Sequence, residues 1–472
     1  MATDLLSIDK KLALAARALD GWRADLAVDD RVDDDDPIAT WRELATRQAA
    51  RSIATSTLAP IATTPALLLP TGELRGAELA SVADPLVELR AGAAAWCAHL
   101  HVATQLRDAT AARAAAARDD HDSDSYGRAT SLRAMLRSLA RPKQAGGVPE
   151  PRAAAAIEDL SPQLLDPLAE EESRRREVAE TLGELARCCL EPDADAAQRA
   201  EALLSRTDDE AREAMSWGLR SVGRTTQRPT WVDAFAVRRA TDVAEGWPAT
   251  LAPRWLAELA RGTELVQGLD IDAKVDAARL TPRADHAGLR LAPPTGAWTF
   301  VHALYALGVA LRVHGRDARA PFCVHSRPHD ERPYALGEAF LALASTPTFH
   351  ARARGVAKAK AEASARRLAG VRLLERRQLA LRVRLSSELA KSKRAFQEAF
   401  DELAPRALGV EVPRALAAFL GAPGTLGPAE DAAKLRALDQ GESLARELTH
   451  RFDLDWWRNP KAAEWIRGRC AR

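Results

Sequence analysis

A cysteine and two histidines stand close together in the chain, at Cys323, His325 and His329. Thiolate sulfur and imidazole nitrogen are ligands that zinc prefers, and a Cys-x-His-x-x-x-His spacing offers three of them on one short segment. A complete site needs a fourth ligand or a water molecule, and Glu338 is the nearby carboxylate singled out for that role. The spacing permits a metal site here. The competing interpretation is an exposed polar loop that contains a partly buried cysteine.

Two apolar segments flank this loop, and both are predicted to be helices. The first runs from Trp298 to Arg312 and the second from Pro333 to Leu343. Helical zinc peptidases carry H-E-x-x-H on the first helix of such a pair and a further glutamate on the second. The two histidines ligate zinc, and the glutamate beside the first one takes a proton from the metal-bound water. The frame is present in this sequence, but the H-E-x-x-H motif is not.

The segment Leu307-Gly-Val-Ala-Leu-Arg312 resembles the L-G-H-A-L-[HR] half of the zinc helix in the thimet oligopeptidase and oligoendopeptidase F group of gluzincin metallopeptidases. In that register the resemblance places Tyr305 at the first histidine, Ala306 at the general base and Val309 at the second histidine. Glu338 takes the place of the third ligand, since its segment Gly-Glu-Ala-Phe resembles T-E-A-F of the same group.

An alternative register starts at His302, which keeps one histidine but puts Ala303 at the base and Ala306 at the second ligand. Neither register leaves a group that can activate water. Glu338 then has two interpretations. It is either a remnant ligand, buried and neutral or paired with an arginine such as Arg312 or Arg332, or an ordinary helix residue. An unpaired buried carboxylate would be costly.

The C-terminal segment carries a second resemblance to bacterial relatives in this group. The stretch 434–438 is similar to Y-L-R-A-W, and Asp-Trp-Trp-Arg-Asn-Pro at 455–460 is similar to their D-W-[FW]-x-N-P turn. The family's residues that hold the substrate oxyanion fall here on Ala429, Glu430 and Lys434, so the substrate side is altered as well. Together with looser matches at 268–271 and 283–293, the likeness covers roughly residues 230 to 470.

Composition limits the classes of function. The chain has 472 residues, 47% hydrophobic and 28% charged, and a formal net charge of +1, which provides no overall field to attract nucleic acid or an anionic membrane. The N-terminus lacks the apolar core of a secretory signal, and no apolar run spans a bilayer, so we expect a cytoplasmic protein. Five scattered cysteines, including the vicinal pair Cys188–Cys189, favour reduced thiols.

Several segments are predicted to be helices or loops from their spacing and charge. Apolar residues from 4 to 27 recur at steps of three and four, which predicts an amphipathic helix. An acidic run at 29–36 and the aspartate-rich segment around His121 are predicted to be solvated loops. The charged stretch 170–176 and the arginines between 351 and 404 are predicted to form solvated helix faces, and Pro405 is expected to close the last helix.

The sequence therefore predicts a predominantly helical fold, with at most a small β-hairpin near Leu289 to Pro293, and the bilobed architecture of a zincin-like oligopeptidase with a central cleft. Three regions are expected: an N-terminal one (1–150), a middle one (151–229) and a pseudo-catalytic lobe (230–472). The predicted function is an inactive metallopeptidase-like protein without a cofactor, which binds a peptide or protein partner in a cleft lined by His302, Arg312 and Lys434. The alternatives are a metallohydrolase with its site relocated to the Cys323 segment, or a purely structural helical scaffold.

Overall fold

The computed structural model describes residues 2–28, 42–46, 49–50, 85–118, 132, 135, 139, 150–183, 195–243, 270–272, 279–282, 287–290, 297–315, 321–424 and 427–470. Helices dominate these residues, which confirms the predicted fold class. They are α1 (Ala2–Val28), α2 (Pro85–Arg118), α3 (Glu150–Leu160), α4 (Leu165–Leu182), α5 (Ala196–Arg206), α6 (Asp208–Ser221), α7 (Trp231–Arg239), α8 (Ala297–His314), α9 (Phe322–His325), α10 (Glu331–Leu341), α11 (Pro347–Ala353), α12 (Lys358–Lys391), α13 (Lys393–Leu408), α14 (Ala417–Leu420), α15 (Pro428–Phe452) and α16 (Pro460–Cys470).

Three short strands form one small sheet, β1 (Asp270–Asp272), β2 (Arg279–Pro282) and β3 (Ala287–Arg290). The order is β1-β3-β2, with β3 antiparallel to β2 and parallel to β1. The expected hairpin is therefore present as β2 and β3, in a register that pairs Leu280 with Leu289. A third strand, β1, joins it, and residues 291–293 of the expected hairpin lie outside the described residues.

The N-terminal helices hold the short segment that lies between α8 and α10. Helix α1 confirms the predicted amphipathic helix, and its buried face packs with α2 and Cys323 of α9 in one core cluster. The carboxylate of Asp9 is buried and accepts hydrogen bonds from the backbone N–H groups of Phe322, at 2.8 Å, and Cys323, at 2.7 Å. A Cβ at Gly92 of α2 would lie only 2.0 Å from the Cys323 carbonyl oxygen, so this helix approaches α9 closely because it has no side chain there.

The charged stretch of α4 is only partly the solvated face that its sequence predicts. Glu170 and Arg174 are exposed, as expected, but Glu171 and Arg175 are buried. Glu171 forms ion pairs with Arg113 of α2 at 3.0 Å and with Arg175 at 3.1 Å. Burial alone would raise the pKa of Glu171, but the two guanidinium groups outweigh it and the pKa is lowered. A charge run that is close to another helix can therefore be an interior contact.

The prediction of a solvated arginine face is likewise only partly right for α12, the longest helix of the C-terminal part that the structure describes, where Arg366 and Lys391 are exposed. Arg367 and Arg377 are each 1% exposed. Arg377 donates to the carbonyl oxygens of Leu204, at 2.7 Å, and Ala407, at 3.1 Å. These guanidinium groups donate to carbonyl groups near the ends of neighbouring helices, where carbonyls lack a complete set of partners within the helix. Pro405 also departs from expectation, because it lies inside α13, which continues to Leu408.

The acidic run at 29–36, His121 and the Cys188–Cys189 pair lie outside the described residues. Cys97, Cys323 and Cys470 are buried, and none of the three forms a disulfide. No helix in the described part of the chain has the length and apolarity needed to cross a bilayer. The division into regions 1–150, 151–229 and 230–472 stays a prediction.

Candidate functional site

Helices α8 and α10 pack against each other through two glycines. A Cβ at Gly308 of α8 would lie 2.6 Å from the carbonyl oxygen of Leu336 and 2.8 Å from the Cα of Gly337, both on α10. No larger residue fits between two backbones at that distance. The sequence L-G-V-A-L thus sets the separation of the two helices that carry the candidate site, at residues where ordinary helix propensity would favour alanine.

The two residues at the resembled histidine positions face Gly337. A Cβ at Gly337 would lie 2.9 Å from Cγ2 of Val309 and 3.0 Å from Cδ2 and Cε2 of Tyr305. Val309 is buried, and Tyr305 and Ala306 are partly buried. Burial raises the pKa of the Tyr305 phenol well above its usual value, and the carboxylates of Glu338, Glu430 and Asp431 raise it further. The phenol is therefore protonated at neutral pH.

Helix α15 also packs against α10, through a third glycine. A Cβ at Gly441 would lie 2.3 Å from Cβ of Glu338 and 2.8 Å from the carbonyl oxygen of Ala335. Glu338 is consequently enclosed between α8 and α15. Tyr305 and Val309 thus contact Gly337, the residue next to Glu338, and their assignment to the first, second and third ligand positions stays a prediction.

The carboxylate of Glu338 is held by two arginines of α12. Its Oε2 atom lies 2.8 Å from a terminal nitrogen of Arg376 and 3.5 Å from one of Arg372. These are not the partners proposed from sequence. Arg312 is buried and donates to the backbone carbonyl of Cys470, and Arg332 forms a bidentate pair with Asp330. A sequence pattern cannot show which helix supplies a counter-ion to a residue 34 or more positions away.

Both arginines remain charged despite their burial. Burial lowers the pKa of Arg372 to about 10, and repulsion from Arg376 lowers it as well. Attraction to Glu338 acts in the opposite direction but is smaller. For Arg376 burial also acts downwards, but Glu338 and Glu442 outweigh it and the pKa is raised. Arg372 further donates to Oγ of Ser345 at 3.0 Å. At neutral pH two cationic groups therefore meet one buried carboxylate.

Helix α15 contributes further paired charges to the same region. Glu430 accepts a hydrogen bond from the Tyr334 hydroxyl at 2.9 Å and lies 2.7 Å from Nζ of Lys434. The ammonium group of Lys434 is also 5.4 Å from the centroid of the Tyr334 ring. Asp431 lies 2.9 Å from a terminal nitrogen of Arg382. Glu430 and Lys434, two of the three residues at the resembled oxyanion-binding positions, thus form an ion pair with each other.

His302, the start of the alternative register, turns towards α12. Its Nε2 lies 3.0 Å from Oε1 of Glu375. Burial alone would lower the pKa of His302, but the neighbouring carboxylate of Glu375 outweighs burial and the pKa is raised. His302 thus forms an ion pair when protonated, and Ala303 and Ala306 beside it offer no ligand or base.

The structure does not bring the side chains of Cys323, His325 and His329 together as one metal site. Burial raises the pKa of the Cys323 thiol well above its usual value, and the carboxylate of Asp9 raises it further. The ring of His329 instead packs edge-on against His99, with the centroids 5.1 Å apart. His325 ends α9, and its carbonyl oxygen accepts from Arg332 at 3.2 Å. Among the residues that the structure describes, no group of three or more His, Cys, Asp or Glu side chains is placed to hold a metal ion.

The fold as a whole is similar to that of solved metallopeptidases. Two solved structures are similar over nearly the whole chain. One is PZ peptidase A with inhibitor 2, at a TM-score of 0.53 and 12% identity, covering 98% of this chain and 90% of that one. The other is Trypanosoma cruzi metallocarboxypeptidase 1, at a TM-score of 0.52 and 12% identity, covering 99% and 91%.

No protein-family profile matches the sequence, and no curated protein sequence matches it. At 12% identity the structural likeness establishes the fold alone. The predicted resemblance to oligopeptidases is confirmed at that level.

The residues present do not fit the metal that this fold implies. Zinc needs three protein ligands and an open position. Val309 offers no ligand atom, and the Tyr305 ring is packed against Gly337 where an imidazole would be needed. Glu338 is the remaining donor, and its carboxylate is bound by guanidinium groups. Arg376, Arg372 and Tyr334 were missed by sequence reasoning, although the i, i+4 spacing of the two arginines was a usable signal that they share one helix face.

Proposed function

We propose that this protein is a catalytically inactive metallopeptidase-like protein that binds a peptide or protein partner at the cleft of its oligopeptidase architecture. The observation that carries the proposal is the contact of Val309 and Tyr305 with Gly337, beside a Glu338 that is already bound by arginine. An apolar and an aromatic side chain thus pack at the two positions where the resemblance implies histidine ligands.

The inactivity follows from the chemistry of the side chains. Peptide hydrolysis at neutral pH needs a group that accepts a proton from the attacking water and a centre that stabilises the oxyanion. The methyl group of Ala306 can do neither. Lys434, at a resembled oxyanion position, is engaged by Glu430 at 2.7 Å. A partner can bind to such a surface without being cleaved.

The groups available for binding are polar and partly exposed. His302, Lys434 and Tyr334 come from three different helices and are each paired within the chain. A peptide offers carboxylates, ammonium groups and backbone amides that can exchange with these pairs, and the exchange costs little because partly exposed ion pairs are weak. This favours a partner with an extended, charged segment over an apolar one.

Inactivity is tested with the purified protein and a mixture of unstructured peptides. The protein is incubated with added zinc, and separately with a chelator, and products are followed by mass spectrometry. We expect no cleavage in either case. Chelator-sensitive cleavage would overturn the assignment, and metal analysis of the same sample would then locate the ion.

Binding is tested by fluorescence polarisation with a library of labelled peptides of mixed charge. We expect a subset to bind and Lys434→Met to weaken them by about tenfold or more, as for the loss of a charged hydrogen bond at an interface. Lys391→Met is the matched control, since Lys391 is an exposed lysine on α12 paired with Glu388. Equal affinities for the two variants would show that Lys434 does not contact the peptide, and no binding by any peptide would favour a purely structural scaffold. The cytoplasmic location and the absence of a nucleic-acid partner remain predictions from the sequence.

A further inference from the structure

The buried carboxylate of Glu338 meets two guanidinium groups at the place where the fold would otherwise bring a metal ion. We propose that Arg372 and Arg376 take over the electrostatic role of that cation and close the site to metals, even if histidine ligands are restored. The inference concerns residues of this chain only and does not depend on partner binding.

The first support is position. Arg372 and Arg376 are one turn apart on α12 and reach the same oxygen, Oε2 of Glu338, at 3.5 and 2.8 Å. A glutamate that ligates a metal ion binds it through a carboxylate oxygen such as Oε2. A cation placed against it would lie beside two positive charges in a poorly screened interior.

The second support is burial. The side chain of Glu338 is 8% exposed and those of Arg372 and Arg376 are 10% and 16% exposed. A carboxylate so enclosed must be neutralised or paired. In a metalloenzyme the metal ion neutralises the buried carboxylate. Here the two guanidinium groups do it with the same total charge as a divalent cation.

The third support is the bridge that Arg376 makes. Its second terminal nitrogen binds Glu442 of α15, the residue next to Gly441, which packs against Glu338. One arginine of α12 therefore links α10 to α15. A metal ion also joins ligands from separate helices, so the arginine supplies the cross-link as well as the charge.

The test is zinc binding by four forms of the full chain: the parent, Tyr305→His with Val309→His, Arg372→Met with Arg376→Met, and all four substitutions together. Zinc alone is the probe, measured by equilibrium dialysis and elemental analysis. We expect one zinc per chain in the fourfold variant, with an affinity at least about tenfold higher than in the two-histidine variant. Adding Glu338→Gln to the fourfold variant should abolish this binding.

The proposal fails if the two-histidine variant binds zinc as tightly as the fourfold variant, or if a folded fourfold variant binds none. Circular dichroism establishes folding in each case.

If the fourfold variant does not fold, a double-mutant cycle of stability tests the proposal instead. Urea midpoints are measured for Glu338→Gln, Arg376→Met and the two together. We expect both single changes to lower the midpoint, and the double change to lower it by less than their sum because the pair is coupled. Additive shifts would overturn the proposal. The control cycle uses Glu398→Gln and Arg394→Met, an ion pair on α13 at 2.7 Å that is largely exposed, for which we expect additivity.

Discussion

The Cγ2 atom of Val309 lies against Gly337: a Cβ added at residue 337 would come within 2.9 Å of it. The position that the resemblance assigns to a metal-binding imidazole is therefore a packing contact between α8 and α10. A β-branched apolar side chain and a glycine form a close pair here, and this pair places Glu338 next to Tyr305. The candidate site is built on that helix contact.

We predict that Gly308→Ala destabilises the fold, because its Cβ would meet backbone atoms of α10 at 2.6 to 2.9 Å and the helices would have to separate. Overpacking of a core costs about 1 to 3 kcal/mol. Gly468→Ala in α16 is the matched control, since nothing lies within 4 Å of its Cβ position. That change should be neutral or stabilising by roughly 0.5 to 1 kcal/mol. Denaturant unfolding of both variants checks the prediction, and equal stabilities would contradict it.

The pair formed by His302 and Glu375 predicts a mild pH dependence of stability. Because the carboxylate of Glu375 raises the pKa of His302 above 6.5, this contribution is complete below that pH and is lost as the pH rises through the folded-state pKa. The His302 side chain is 42% exposed, so screening limits the effect to below about 1 kcal/mol. Urea midpoints from about pH 6 to pH 8.5 measure it. The decline should disappear in Glu375→Gln, and a decline of unchanged size there would exclude this pair as its source.

Arg377 gives a third prediction, based on burial. Its guanidinium group is 1% exposed and donates to Thr207 Oγ1 and Asp208 Oδ1, each at 2.7 Å, in addition to the carbonyl groups of neighbouring helices. Arg377→Met should cost about 3 to 5 kcal/mol, since buried acceptors lose their donor. Arg366→Met, at an exposed position of the same helix, should change stability by less than about 0.5 kcal/mol. A loss at Arg377 no larger than at Arg366 would show that the buried network contributes little.

Much of the fold could be predicted from the sequence because its signals are local. The three-and-four spacing in α1, the apolar runs of α8 and α10 and the turn at 455–460 each specify an element or a familiar segment. The candidate site was also reachable in part. Tyr305, Val309 and Glu338 were singled out by resemblance, and in the structure the first two pack against Gly337, the neighbour of Glu338.

The charge partners could not be predicted, for a physical reason. Whether an arginine on a helix faces water or another helix depends on how helices pack, and arginine is compatible with both because its stem is apolar and its head has five donors. Arg372, Arg376 and Arg377 therefore looked like a solvated face but are interior. The Cys323 segment shows the opposite error: ligand-like spacing along the chain did not bring Cys323 and His329 into one site.

His350 leads to the last prediction, a loss of stability in acid. It is fully buried; its Nδ1 lies 2.9 Å from a terminal nitrogen of Arg354, and its Nε2 lies 2.7 Å from the carbonyl oxygen of Ala344. Arginine can only donate, so Nδ1 accepts and Nε2 carries the proton, which makes the ring neutral.

Burial lowers the pKa of His350 from 6.5 to about 4, and the charge of Arg354 acts in the same direction. Between those two values the unfolded chain binds a proton that the folded chain does not, so stability falls as the pH falls, by up to about 1.4 kcal/mol per pH unit. Urea midpoints measured across this interval should show the fall in the parent protein and in His450→Gln, a change at an exposed histidine, but a weaker fall in His350→Gln. The same slope in all three proteins would mean that His350 is not the group that takes up the proton.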